Sequence, residues 1–443
     1  MKKFTSLFLF ILFGYFVADA ALTWQKLDLT KAGGGTINLN ISRMVLENGK
    51  LYVATYDGIW VSPSGNGGDW EPFGLQGQKV TRLSFGNLKL ALVLVTASND
   101  ATKTTSVLYK LNGSTWELTN LNPDKLSTFG SASSEFTQIR DQNGNDIILY
   151  PTWGNGIWRS DDGGATWTNF PQADTEHGKV YKNVLGLHVF PGDNIVYGTD
   201  KVANNDNYLI YSEDYGATWQ YKHVGKFFNP HAVYARTYND KKYIYYGGQN
   251  GSDGAIWRSE DMGTTWEASL SAGVEYWECR KITGSPNGNL YSMASINNLY
   301  VSKDNGDTFE VFATGLSIPS QSDRIANPPA ADKVFLTDVI ATDSKVYLST
   351  AFREGIYVVD LQTALVNVPK NAVSYTIKNN TLRVNTSENS NIQILNLTGV
   401  QVSAYKAHSD VTTIDITNLT PGVYFLKVKN ADNSITINKF IKK

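Results

Sequence analysis

Cysteine is all but missing from this chain. Cys279 is the only one in 443 residues, so no intramolecular disulfide can form and stability must come from burial and hydrogen bonding. Histidine is scarce too. His177, His188, His223, His231 and His408 show no paired spacing such as His-x-x-x-His, and no metal centre is expected. Neither sign of charge is in excess: 39 Lys and Arg against 41 Asp and Glu give a formal net charge of −2, which implies no nucleic acid or anionic membrane as partner. Gly-rich phosphate cradles are absent, since "AGGGTIN" at 32–38 precedes a strand instead of a helix, and no cofactor is implied. Long apolar runs are confined to the start. Residues 1–20 carry Lys2 and Lys3, an apolar run from Leu7 to Val17 and then Ala18-Asp19-Ala20, the pattern of a secretory signal peptide, with an apolar run too short to span a bilayer comfortably. An exported mature chain with no transmembrane segment is expected.

Aromatics and glycine are abundant: 11 Trp, 24 Tyr, 19 Phe and 38 Gly describe aromatic strands separated by glycine turns, an all-β profile. A phrase Ser-x-Asp-x-Gly-x-Thr-Trp recurs. It fits Ser160, Asp162, Gly164 and Trp167; Ser212, Asp214, Gly216 and Trp219; Ser259, Asp261, Gly263 and Trp266; and, with an aromatic replacement, Ser302, Asp304, Gly306 and Phe309. Two weaker copies, "SPSGNGGDW" and "YKLNGSTW", end at Trp70 and Trp116, so the closing aromatics are 46, 51, 52, 47 and 43 residues apart. That interval suits four-stranded propeller blades of about 40 to 50 residues.

Upstream of several copies lie two β-rich runs around a turn, as in "KLYVATYDGIWVS", "DIILYPTWGNGIWRS" and "KVYLSTAFREGIYVVD", and before them a short apolar strand such as "VLGLHVF". One unit is therefore an inner strand, a second and a third strand, the Ser-Asp-Gly turn and a fourth strand. The last unit, from Val334 to Leu361, has no Thr-Trp strand, and "ALTWQKLDL" at 21–29 supplies one. These counts predict a seven-bladed β-propeller over 21–364, closed by its N-terminal strand so that no sheet edge is left open.

The repeats resemble the Asp-box, or bacterial neuraminidase repeat, of sialidases, xyloglucan hydrolases, sortilin-type receptors and a photosystem assembly factor. The resemblance implies that the box lies between third and fourth strands on the outer rim, opposite the ligand face, so its aspartates are structural. Each Asp can accept backbone N–H bonds in its own turn, and each Gly allows positive φ.

After Leu361 the rhythm changes to short alternating strands without Trp, which predicts a small β-sandwich over 365–443. "ILNLTGVQV", "LTPGVYFLKV" and the basic end from Lys439 to Lys443 resemble the C-terminal sorting domain of type IX secretion. That resemblance implies a Gram-negative source, the type IX machinery as partner, and a secreted or outer-surface location.

The ligand face of such a propeller is expected where loops lead into the inner strands and where second strands turn into third. Those segments hold Tyr56, Asp57, Trp153, Asn155, His177, His231, Glu275, Tyr276, Trp277, Glu278, Arg353 and Glu354. A binding module for a glycan or protein ligand could use Tyr56, Trp153, Asn155, His177, His231, Tyr276, Trp277 and Arg353. A glycoside hydrolase would need two carboxylates about 5 to 9.5 Å apart, for which Asp57, Glu275, Glu278 and Glu354 are candidates. Asp57-Gly58 also reads as a plain hairpin turn. The sialidase chemistry is not recognisable, since no Arg-Ile-Pro phrase occurs. The binding module demands fewer coincidences and is the favoured expectation.

Overall fold

A computed structural model of the chain describes residues 22–38, 40–97, 100–121, 136–152, 155–170, 172–174, 179–181, 183–190, 194–201, 207–225, 228–249, 256–268, 279, 281–293, 299–312, 316, 335–351, 355–361, 374–378, 380–396, 400–430 and 435–442. Every regular element among them is a β-strand. The chain divides into two units, Met1–Leu361 and Gln362–Lys443.

In the first unit the described residues form seven four-stranded antiparallel sheets, over 41–74, 79–118, 137–170, 184–225, 228–268, 281–311 and 335–360, numbered here first to seventh. Within each, strand order follows the chain, and the seventh is completed by Gln25–Lys26, which pairs with Tyr357 and Val358. A separate hairpin, Gln172–Asp174 with Lys179–Tyr181, lies between the third and fourth sheets in sequence.

The second strand of each sheet is buried over most of its length because both of its faces are covered, and it carries buried polar residues such as Asp200, Ser292 and Ser349 beside its apolar ones. In the first sheet, Leu51 and Val53 pack with Tyr347 and Ile356 of the seventh. The alternate residues Tyr52 and Ala54 pack with Val80, Ala91 and Val93 of the second. One strand thus contributes to two inter-sheet cores, each buried aliphatic side chain stabilising by about 1.5–3 kcal/mol.

The N-terminal segment joins two of these cores. Trp24 is buried among Tyr291 and Phe312 of the sixth sheet and Leu336 and Leu348 of the seventh, its ring edge-on to Phe312 at 5.6 Å. Leu27, Leu29 and Ile37 enter the core shared by the seventh and first sheets. Trp70 Nε1 donates to the Asp28 carbonyl at 2.8 Å, holding the segment from the other side.

Inner strands of the first and seventh sheets are linked directly. Each carries a bulge, at Ser42 and Thr337. Thr337 Oγ1 donates to the Ile41 carbonyl at 2.9 Å, and Ser42 Oγ to the Val80 carbonyl of the second sheet at 2.8 Å. Next to Thr337, Asp338 is fully buried and accepts from Arg43 Nη1 at 2.9 Å, from the Met44 amide at 2.7 Å and from Lys281 Nζ. Inner strands of the sixth, seventh and first sheets therefore meet on one carboxylate, where charge-assisted bonds offset its desolvation.

The second unit has a three-stranded sheet, Tyr375–Lys378, Thr381–Asn385 and Val411–Asp415, and a four-stranded sheet in the order Gln401–Lys406, Asn391–Leu395, Gly422–Lys429, Ile435–Lys442. Leu382 and Ile414 of the first share one core with Ile392, Leu426 and Phe440 of the second, a two-sheet sandwich.

Candidate functional site

Antiparallel strands place the turns of each propeller sheet at two opposite ends. First-to-second and third-to-fourth turns share one end; second-to-third turns and the connections between sheets share the other.

The repeated phrase occupies the first of these ends. In the third sheet Ser160 Oγ accepts the Gly164 amide at 2.8 Å and donates to Asp162 Oδ1 at 2.9 Å, while Asp162 accepts the Thr166 amide at 2.8 Å and the Thr166 hydroxyl at 2.6 Å. Ser212 with Asp214 and Thr218, and Ser259 with Asp261 and Thr265, repeat these bonds. Ser302, Asp304 and Thr308 close the sixth turn in the same way. Bonds from the Thr265 hydroxyl and amide, reinforced by Ser259, hold the Asp261 carboxyl down at about 2. For Asp162, Asp214 and Asp304 burial pushes upward, and the Thr and Ser bonds outweigh it, so these carboxyls also lie below the usual value.

Three of the four turns also grip the preceding sheet, those at Tyr215, Met262 and Asn305. The residue before the glycine is left-handed, with φ of 67° at Gly163, 60° at Tyr215, 59° at Met262 and 60° at Asn305. In those three turns its carbonyl takes a cation from the sheet before: Arg159 Nε donates to Tyr215 O at 3.2 Å, Lys222 Nζ to Met262 O at 2.7 Å, and Arg258 Nη1 to Asn305 O at 3.1 Å. The glycines have a second reason besides their positive φ. A Cβ on Gly216 would stand 2.6 Å from Leu149, and one on Gly263 2.5 Å from Leu209, each in the preceding sheet. Phe309 and the closing tryptophans pack inward, with Trp167 and Trp266 donating to the Gly164 and Gly263 carbonyls at 3.1 and 3.2 Å.

The weaker copies depart from this pattern in different ways. Ser62 still accepts the Gly67 amide, at 3.1 Å, but its carboxylate partner is Asp69, next to Trp70. The copy ending at Trp116 has shrunk to a hairpin in which Asn112 pairs with Thr115.

At the opposite end, Tyr56 and Asp57 form the second-to-third turn of the first sheet. Tyr56 is 44% exposed, and Lys79 Nζ stands 4.0 Å from its ring centroid. Asp57 Oδ1 accepts the Gly77 amide at 3.1 Å, and its carbonyl accepts Trp60 Nε1 at 3.0 Å. The carboxylate therefore ties its turn to the connection leading into the second sheet. Asn155 lies in the matching turn of the third sheet, where its carbonyl accepts Asn169 Nδ2 at 2.6 Å. His231 belongs to the inner strand Phe228–Tyr238, and its side chain is outside the described residues. Trp153, His177, Glu275, Tyr276, Trp277, Glu278, Arg353 and Glu354 also lie outside them. Among the described residues, no three His, Cys, Asp or Glu side chains come together in a way that could hold a metal ion. Cys279 is buried, its Sγ 3.4 Å from Ser292 Oγ.

This end has its own recurring device, which sequence reasoning missed. Buried Thr55, Thr152 and Thr350 donate their hydroxyls to the carbonyls of Gly58, Gly156 and Gly355 at 2.9, 2.8 and 3.0 Å. The signal is a threonine ahead of Gly-Ile-Trp or Gly-Ile-Tyr, but two, three and four residues intervene, which hides it from a fixed-spacing search.

Residues 14–269 match the model of the DUF6242 beta propeller domain. The chain belongs to the DUF6242 beta-propeller family. Its sheets continue past the matched span, to Asp360. Residues 378–443 match the secretion system C-terminal sorting domain, so this DUF6242 propeller carries a type IX sorting tail that points to secretion to the cell surface. A curated xyloglucanase of Hypocrea jecorina (strain QM6a) is 25% identical over 286 residues, covering 56% of this chain. The chain spans about a third of that relative's length, 34%. Among solved structures, the GH74 enzyme of Niastella koreensis superposes with a TM-score of 0.50 at 16% identity, covering 94% of this chain and 67% of that one. Virginiamycin B lyase of Staphylococcus aureus has the same TM-score, 0.50, at 14% identity over 77% of this chain and 99% of its own. A hydrolase and a lyase sharing one fold with the DUF6242 propeller establish the fold and nothing finer.

Proposed function

We propose that the mature chain is a surface-displayed binding module that takes a glycan or protein ligand at the end of its sheets opposite the repeated turns. In this reading residues 1–20 are a signal peptide, 21–364 a seven-bladed Asp-box propeller and 365–443 the sorting domain. The observation that carries it is Tyr56, a half-exposed ring with a lysine amine beside it, on the end away from the repeated turns. Aromatic faces with an adjacent cation suit sugar rings and peptide side chains alike. Trp153, Asn155, His177, His231, Tyr276, Trp277 and Arg353 are assigned to the same surface.

A second reading, a glycoside hydrolase acting through two of Asp57, Glu275, Glu278 and Glu354, is favoured by the xyloglucanase match. One experiment separates the two. Purified full chain is screened on a glycan array and incubated with xyloglucan and a chromogenic glycoside panel. Binding without product release is expected, and Tyr56→Ala weakens it about 10-fold, as for an anchor residue of about 1.4 kcal/mol. Sugar release that disappears in Glu275→Gln, Glu278→Gln or Glu354→Gln would replace the binding reading with the hydrolase.

A further inference from the structure

Among the described residues, six of the nine large hydrophobic side chains that are exposed belong to the C-terminal unit: Ile377, Val400, Val402, Tyr405, Ile437 and Ile441. Two of them share one strand. In Ile435–Lys442 the residues turned to the sandwich core are Thr436, Phe440 and Lys442, while Ile437 and Ile441 are 50% and 58% exposed on the outer face. A sheet meant to meet water on that face would alternate the other way.

The neighbouring strands extend the same surface. Ile441 is in register with Val423 and Ile437 with Lys427, and Phe425 is in register with Leu395 of the next strand. Val423, Phe425 and Leu395 are half-buried, so an apolar strip crosses the sheet. Beside it stand Lys427 and Lys429, with Lys406 in register with Asn391 farther along. Among the described side chains of this face, those at 391, 393, 395, 401, 404, 406, 423, 425, 427, 429, 437 and 441, none is Asp or Glu. A chain of formal net charge −2 has thus placed an apolar strip and a lysine margin on one sheet face.

We infer that this outer face is where the chain docks on a protein of the type IX machinery, on a patch with an apolar centre and an acidic margin. The inference rests on the reading of residues 378–443 as a type IX sorting domain. A second copy of the chain is a poor occupant, because two such faces bring together lysines without a carboxylate to pair them. An apolar strip that self-pairing cannot neutralise is the mark of a surface kept for another partner.

The test is surface display of the full chain in a bacterium with the type IX system. Ile437→Glu with Ile441→Glu is expected to lower the displayed fraction at least 10-fold, and the milder Lys427→Gln with Lys429→Gln several-fold, with circular dichroism and melting of the retained protein unchanged. Thr413→Glu, on an exposed position of the other sheet, should be displayed like the unaltered chain. Normal display of both face variants overturns the proposal, as does equal retention of Thr413→Glu. So does binding of the purified chain to phosphatidylglycerol vesicles that is lost in the lysine variant, which would give the face to lipid. A dimer that dissociates in the isoleucine variant would give it to a second copy. Removal of 374–443 addresses the sorting reading separately: display that survives the deletion sinks that reading, whereas display lost on deletion but kept in the face variants sinks only the docking face.

Discussion

Asp162, Asp214, Asp261 and Asp304, at one end of the propeller sheets, spend both carboxylate oxygens inside their own turns, while Asp57, at the other end, gives one oxygen to a single backbone amide. The first end is saturated because each turn closes on itself, and those at Tyr215, Met262 and Asn305 also hold the preceding sheet through a cation on the left-handed carbonyl. At the second end three turns close instead with a buried threonine hydroxyl, from Thr55, Thr152 and Thr350, and Tyr56 is left half-exposed. Asp162, Asp214, Asp261 and Asp304 are thus parts of the frame, and the proposed ligand site lies at the second end.

The sharpest way to break that contrast is through glycine. Gly216 and Gly77 have nearly the same φ, 81° and 78°, but a Cβ on Gly216 meets Leu149 at 2.6 Å whereas one on Gly77 meets nothing within 4 Å. Gly216→Ala should cost about 3 kcal/mol, strain plus overpacking, and Gly77→Ala about 1 kcal/mol, strain alone. Equal shifts of the urea midpoint would mean that close approach between sheets does not select the glycine.

Next in size, Asp214→Ala removes a carboxylate that holds three donors and should cost about 2 kcal/mol, against about 1 kcal/mol for Thr152→Val at the other end. A larger loss from Thr152→Val would reverse the ranking of the two ends.

Acid should act on the first end. The Asp261 carboxyl is lowered to about 2 when folded, from about 3.9 in an unfolded chain, so its contribution is complete above about pH 4 and fades as the pH falls toward 2. Asp162, Asp214 and Asp304 are shifted the same way. Urea midpoints should therefore fall between pH 4 and 2, and less so in Asp261→Asn. A variant with the unaltered acid profile would remove Asp261 from this account. The smallest effect belongs to Tyr56→Ala: stability should stay within about 0.5 kcal/mol, as for an exposed side chain away from any cap or core. A loss of more than that would make Tyr56 part of the frame.

The repeated turns were legible because everything that builds them lies within eight residues, and the pairing of Gln25–Lys26 with the seventh sheet because a unit lacking a fourth strand calls for one. What the turns do for one another was not legible. Arg159 and Tyr215 are linked across two units of the repeat, and no local pattern ties a cation to a carbonyl so far along the chain. The Ser62 turn was obscured because its aspartate had moved to position 69, and the threonine clamps because their turns differ in length. Asp338 attracted no notice among 41 acidic residues, since its partners Arg43, Met44 and Lys281 come from two other strands, both far from it in sequence. Of the residues expected at the ligand end, Tyr56, Asp57 and Asn155 fall in second-to-third turns.

Lys26 and Tyr357 come to lie opposite each other on neighbouring strands, with Trp24 docked just ahead of them, although more than three hundred residues separate the two strands. A polypeptide threaded outward from its start would release Trp24 early and wait for the seventh sheet before docking it. Until then the cores on either side of the gap stay open to solvent, a long-range ordering step of the kind that slows folding. The moment of closure is the moment at which the last sheet has emerged, so a ring built this way keeps its own record of whether delivery is finished.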